Sequence, residues 1–287
     1  MIAMYKKEML SYFTHMMGYV FLAFMLLVIG IFFVFGNVMV GSANFHFTLA
    51  STTTFFFILI PTLTMRLFSE ETRQKTDQLI FTSPLSVGQI VLGKFLAAVS
   101  LFLIAVVISV VMPLMLSFHT SLPLAQIVGT YIGFVFIGIA LIAVGVFISV
   151  LTENQIIAAV ITMAAIFTMF IIDTVATIMP TSTMASLVFV LLVVIVVVLI
   201  WYNATRNIVA TVPVAALGIT IAGGLYLFDN FIYDGIIVRS ILWFSAFARF
   251  QNFSQGLLNL SDIVYYISFI ALFVYITINV IEKRRWK

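Results

Sequence analysis

Cysteine is absent from this 287-residue chain, which excludes a disulfide framework, a thiolate metal site and a cysteine nucleophile. Charge is nearly as scarce, since Asp, Glu, Lys and Arg make up 8% of the residues, against about 25% in soluble domains. The three histidines, His15, His46 and His119, stand far apart with no ligand spacing between them, so no metal site is expected. No Ser/His pair, paired aspartates or metal motif stands in the apolar runs, which argues against an intramembrane enzyme and leaves no catalytic residue to name. What fills the chain is hydrophobic, 64% of it, and that composition belongs to an integral membrane protein. Its basic residues are few and sit beside the ends of apolar runs without forming a stripe, so they serve membrane orientation rather than nucleic acid.

Eight apolar runs are long enough to cross a bilayer: Gly18–Gly36, Thr48–Met65, Phe95–Ser117, Val128–Val150, Ile157–Met179, Ser186–Tyr202, Ile208–Phe228 and Ile263–Ile281. Turn-rich polar stretches separate them at Ser117–Pro123, Pro180–Ser182 and Asn203–Asn207. The expected fold class is all-α and polytopic, about eight transmembrane helices. The first run is too long for a signal-peptide core and reads as an uncleaved span. With a cytosolic N-terminus, Lys6, Lys7, Arg66, Arg73, Lys75, Lys94, Arg206, Lys283, Arg284, Arg285 and Lys287 face the cytosol, and only Arg239 and Arg249 lie outside. Omitting the sixth and seventh spans together would leave that bias intact. Asn203–Asn207 is so short that a tight cytosolic hairpin is the simplest reading.

Residues 1–17 precede the first span as an interfacial amphipathic helix, with Ile2, Tyr5, Met9, Tyr12, Phe13 and Met16 on one face and Lys7, Glu8, Ser11, Thr14 and His15 on the other. Met4 and Leu10 interrupt the polar face. The long polar break is residues 66–94, RLFSEETRQKTDQLIFTSPLSVGQIVLGK, which holds seven of the chain's 23 acidic and basic side chains. Good helix formers over Arg66–Gln78 extend the second span out of the membrane, and the helix ends before Ser83-Pro84. Ser86 and Gln89 fit a capping box that opens the next helix. Gly88 to Phe95 nearly matches a P-loop, but Phe95 has no hydroxyl for Mg²⁺, Ile90-Val91-Leu92 is apolar and helical, and no strand precedes it.

The run Arg66 to Leu79, followed by Thr82-Ser83-Pro84-Leu85-Ser86 and Gly93-Lys94, resembles the cytosolic loop of ABC-2-type exporter permeases. The similarity extends to the N-terminal amphipathic helix and to a last span ending in Glu282-Lys283-Arg284-Arg285-Trp286. The layout is closest to the gliding-motility and nitrous-oxide-accessory type. The resemblance implies one transmembrane domain over residues 1–287, with 66–94 as the segment that docks on a cytosolic ABC ATPase subunit and 229–262 as an extracytoplasmic segment. Glu70, Glu71, Arg73, Thr76, Asp77, Gln78 and Gln89 would give polar docking contacts, Leu79, Ile80 and Phe81 apolar insertion, and Ser83, Pro84 and Ser86 the turn. It also implies no enzymatic activity in this chain, no cofactor of its own, and ATP and Mg held by the partner. A second permease chain, identical or similar, would complete the path in the cytoplasmic membrane, and an extracytoplasmic accessory subunit would dock on the outward segment. Six spans are the family norm, so the hairpin Ser186–Phe228 is an addition.

Other features are weaker. Asp173 is the one formal charge inside a span, where a carboxylate costs about 2.5 to 3.5 kcal/mol on insertion scales. Thr162, Asp173 and Thr177 share a helical face, which marks a path or subunit interface, while Asp173 also stands close enough to the outer end to snorkel. Gly129 and Gly133, with Gly138 and Gly145 beyond, permit close helix approach. The Ser51–Thr54 cluster is expected to back-bond to its own helix. The nine residues between Arg239 and Arg249 are too few to span, and Trp243, Phe244, Phe247, Phe250 and Phe253 suggest a re-entrant or interfacial helix at the lipid boundary. The expected function is the permease subunit of an ABC exporter. The alternatives are an ATPase-driven assembly or mechanotransmission subunit, and an ion-coupled secondary transporter, which a single intramembrane carboxylate disfavours.

Overall fold

The computed structural model describes residues 1–14, 16–76, 85–228 and 233–285, and among these there is helix and no strand. The expected all-α polytopic class is what forms. Six helices are long and apolar enough to cross a bilayer: Met16–Val38, Val87–Ser117, Leu124–Leu151, Gln155–Ile178, Thr183–Asn203 and Leu260–Arg284. The pair Phe45–Thr53 and Phe56–Thr64, bent by 59° at its break, makes a seventh if the two are one broken span rather than a re-entrant loop. The eighth run falls on Ile208–Phe228, whose described apolar stretch, Thr211–Gly224, is shorter than the others.

In chain order the helices are α1 (Ile2–Thr14), α2 (Met16–Phe33, continued by a π turn over Val34–Val38), α3 (Phe45–Thr53), α4 (Phe56–Thr64), α5 (Ser69–Arg73), α6 (Val87–Ser109), α7 (Val111–Ser117), α8 (Leu124–Leu151), α9 (Gln155–Ile178), α10 (Thr183–Thr205), α11 (Ile208–Phe228), α12 (Ile236–Phe244), α13 (Ala246–Ser254) and α14 (Leu260–Arg285). Contacts divide the chain into two compact units, Met1–Met169 with Ala246–Lys287, and Phe170–Ser245.

The first unit is built around α8, which packs against α3, α4, α6, α13 and α14. In lipid the drive for such packing is close contact rather than water exclusion, so small residues matter. A Cβ added at Gly133 would run into Phe253 and Phe250, one at Gly138 into the Phe102 ring, and one at Gly145 into Thr64. Each glycine is a notch for one neighbour, as expected for this span. Phe56, Phe102 and Phe134 fill the centre, with ring centroids 4.9 to 5.9 Å apart. Helices α8 and α14 run parallel: Phe136 stacks on Tyr266 at 5.9 Å and, farther along both, Phe147 meets Phe273 at 5.8 Å. Gly88 lies beside Ile278, which places the end of α14 at the same end of the unit as the start of α6.

Three local expectations are corrected. The second span is not one helix, because the hydroxyls of Thr52 and Thr53 take the carbonyls of Thr48 and Ala50, and Pro61 removes an N–H from the ladder just beyond the break. The helix expected over Arg66–Gln78 is interrupted by a turn at residues 65–68 and, among the described residues of that stretch, is helical only over Ser69–Arg73. Here Lys94 donates to the Leu67 carbonyl at 2.6 Å, a side chain standing in for a missing backbone donor. The α1 face that packs inward carries Met4, Tyr5, Glu8 and Tyr12, so Met4 is a packing residue rather than a flaw in a polar face, while Ile2 and Met16 stay exposed.

The aromatic segment expected to face outward is two short helices, α12 and α13, separated in sequence by Ser245. In α13, Phe247, Phe250 and Phe253 are buried rather than lipid-facing, since Gly129 and Gly133 let the helix sit on α8. Arg249 pairs with Asp262 at 2.8 Å and lies 4.2 Å from the Tyr265 ring, and Asn252 donates to Asp262 at 2.9 Å. In the second unit, α10 and α11 form a hairpin whose tight turn is Arg206, in the left-handed region at φ 50°, with Val194 packed against Gly218. There Tyr233 donates to the Ala222 carbonyl at 2.7 Å, while Trp243 and Phe244 remain exposed on α12.

Candidate functional site

The start of α6 is built for a close neighbour. Ser86 caps it, accepting from the Gln89 backbone N–H at 3.3 Å while the Gln89 side chain accepts from the Ser86 N–H at 3.3 Å. Nearly two turns into the helix, Gly93 admits α1: an added Cβ would stand 2.9 Å from that of Met4. Because α1 approaches so near, Lys94 is covered, and its side chain is 1% exposed. A buried ammonium must be paired. Lys94 is, reaching Glu8 of α1 and Glu71 of α5 at 2.9 Å each, the Leu67 carbonyl, and the Phe68 ring at 5.1 Å. It thereby joins α1, α5 and α6 through one cation.

Around this clamp lie two outer pairs. Lys7 also donates to Glu71, at 3.0 Å, and Arg66 grips Glu70 with Nε at 2.6 Å and Nη2 at 2.7 Å, which holds the guanidinium charged above its usual range. Tyr12 donates to the Leu63 carbonyl at 3.2 Å, tying α1 to α4, and burial, then Glu8, pushes its phenol up. These side chains enclose a cleft of about 480 Å³.

Of the expected docking residues, Glu70 and Glu71 are thus engaged within the chain, and Thr76 donates to the Glu71 carbonyl at 3.3 Å. Arg73 is exposed at the end of α5. Ser86 and Gln89 form the cap. Asp77, Gln78, Leu79, Ile80, Phe81, Ser83 and Pro84, like His15, lie outside the described residues. Sequence reasoning missed Lys94 and Glu8 as partners. Lys94 had one mark, a cation set two turns inside an apolar helix directly after a glycine, but its two carboxylates lie 86 and 23 residues away.

The other set lies along α9. Thr162 is buried in the first unit and donates to the Ala158 carbonyl, and Thr177, exposed, donates to that of Thr174. Asp173, half-buried in the second unit, accepts a short hydrogen bond from the Ser245 hydroxyl, which anchors the end of α12 to α9. Asp173→Asn keeps an acceptor and is expected to unfold near the wild-type temperature in detergent. Asp173→Leu removes it and should cost about 1 kcal/mol or more in the same assay.

Among the described residues no cluster of His, Cys, Asp and Glu could hold a metal ion. No curated protein matches the chain. The family model described as ABC-2 family transporter protein matches residues 37–191, more than half of the sequence, from the turn after α2 through the bent second span, α5, α6 and the glycine-notched α8 into α10. The matched region contains the charged segment whose lysine clamp organises this end of the molecule, and on that match the chain belongs to the ABC-2 family of membrane transport proteins.

Proposed function

We propose that this chain is the membrane-spanning permease subunit of an ABC exporter in the cytoplasmic membrane, with both termini cytosolic and with ATP and Mg²⁺ held by a separate cytosolic ATPase subunit. The family match carries this reading, because ABC-2 permeases in general work with an ATPase partner. The geometry adds a route for force. A push on residues 66–94 reaches α6 through Lys94, α1 through Glu8 and Lys7, and α4 through the short turn at residues 65–68, so three membrane-anchored elements would move together. The bent pair α3 and α4 offers a place for that movement to be absorbed. Two permease chains would enclose the path. The charged tail Glu282–Arg285 and the α1 layout support the gliding-motility and nitrous-oxide-accessory type within the family.

In this account Glu70 and Glu71 set the position of α5, and Arg73 and Lys75, both exposed, meet the ATPase. Copurification with the candidate ATPase subunit tests it. An Arg73→Glu, Lys75→Glu double variant should retain about tenfold less partner, a loss of roughly 1.4 kcal/mol, while its elution and unfolding temperature stay those of the wild type. If wild type retains no ATPase, or the double variant retains as much as wild type, the reading fails.

A further inference from the structure

The cleft under α1 does not end at its charged wall. Met17, which lines it, also lines an apolar trough of about 180 Å³ running along α2 past Val20, Phe21 and Phe24, closed on the other side by Thr62 and Met65 of the second span. Arg66 stands where the two meet, with Nη1 3.4 Å from the Met17 sulfur. A thioether is a weak acceptor, so that edge of the guanidinium is suited to an oxygen ligand.

The charges decide which ligand. The cleft holds three cations, Lys7, Arg66 and Lys94, and three carboxylates, Glu8, Glu70 and Glu71, so it is formally neutral and offers an anion no net attraction. The side chains of Lys7, Arg66 and Glu70 are 57%, 35% and 28% exposed, whereas Lys94 is sealed at 1%. What can be touched is two cations next to a carboxylate. A group with a phosphate and an ammonium a few bonds apart matches that set, and a chain attached to the phosphate would enter the trough. A cytosolic protein could reach the cleft but not the trough, which lies along membrane-spanning helices.

We propose that cleft and trough together bind one zwitterionic phospholipid of the leaflet on which α1 lies, its phosphodiester on Arg66 and Lys7, its ammonium beside Glu70, and an acyl chain along Met17, Val20 and Phe24. Bound there, the lipid bridges α1, α2 and α5, and membrane composition acts on the segment that meets the ATPase. This last consequence rests on the function proposed above, but the binding does not.

Native mass spectrometry of the full chain, released from nanodiscs of phosphatidylethanolamine, phosphatidylcholine or phosphatidylglycerol, tests the site. Wild type should retain one lipid per chain from either zwitterionic disc and about tenfold less from the anionic one. Arg66→Gln removes the phosphate ligand and Val20→Trp fills the trough without touching an ion pair. Each should lower retention about tenfold, Val20→Trp at an unchanged unfolding temperature. The proposal is overturned if wild type retains no lipid, if phosphatidylglycerol is held equally well, or if either variant retains lipid as wild type does. Loss of the ATPase, but not of lipid, on Arg66→Gln would reassign the cleft to the protein partner.

Discussion

Lys94→Ala is expected to destabilise the chain by about 3 to 5 kcal/mol, the cost of leaving buried charge without its partner. The substitution leaves Glu8 and Glu71 with Lys7 as their shared cation and removes the donor to the Leu67 carbonyl where the chain turns out of α4. Protease sensitivity should therefore rise first at α1, and thermal unfolding in detergent should shift downward. A triple variant, Lys94→Met with Glu8→Gln and Glu71→Gln, removes all three charges and should recover most of the loss, because a neutral packed site escapes the desolvation penalty. Were Lys94→Ala to unfold at the wild-type temperature with α1 still protected, the clamp would not be what holds this end together. The distinction matters for coupling: with the triple variant folded but α5 no longer tied by ions to α1, ATPase binding should persist while stimulation of transport falls.

Gly138→Leu is expected to abolish most folded protein, since even a Cβ at that position collides with the Phe102 ring in the most deeply packed part of the bundle. Gly138→Ala should be milder, about 1 to 3 kcal/mol of overpacking. Phe102→Leu should rescue much of the alanine variant by vacating the space, and the shortfall from additivity measures the contact. Size-exclusion profiles and unfolding temperatures check both. An alanine at Gly223, whose added Cβ meets nothing within 4 Å among the described residues beyond its own stretch of helix, is the matched control and should behave as wild type. Equal behaviour of Gly138→Ala and Gly223→Ala would show that α8 is not notched for Phe102.

How far sequence reasoning reached can be judged at particular residues. The capping box at Ser86 and Gln89, the back-bonding threonines, the tight hairpin over Asn203–Asn207 and the packing role of the α8 glycines are all local, set by contacts within a few residues or by the absence of a side chain. They were legible for that reason. The bend in the second span was not, since the apolar run Phe55–Ile60 follows directly on the threonines and hydropathy does not register a carbonyl taken by a hydroxyl. The aromatics of α13 misled because composition cannot tell a ring facing lipid from one seated in a notch 120 residues earlier in the chain, as Phe253 is against Gly133.

By itself, then, the sequence determined the solvent of this protein, its all-helical class and the side on which its charged segment is expected, because a bilayer demands apolar length and internally satisfied backbone wherever the chain crosses. Only the tertiary structure decided what the charges do. Glu71 looked like a docking residue, and Lys94 like one more orienting cation. Packing α1 against Gly93 sealed Lys94 and left Glu71 only partly exposed, and a cation taken out of water has no low-energy choice but the carboxylates beside it.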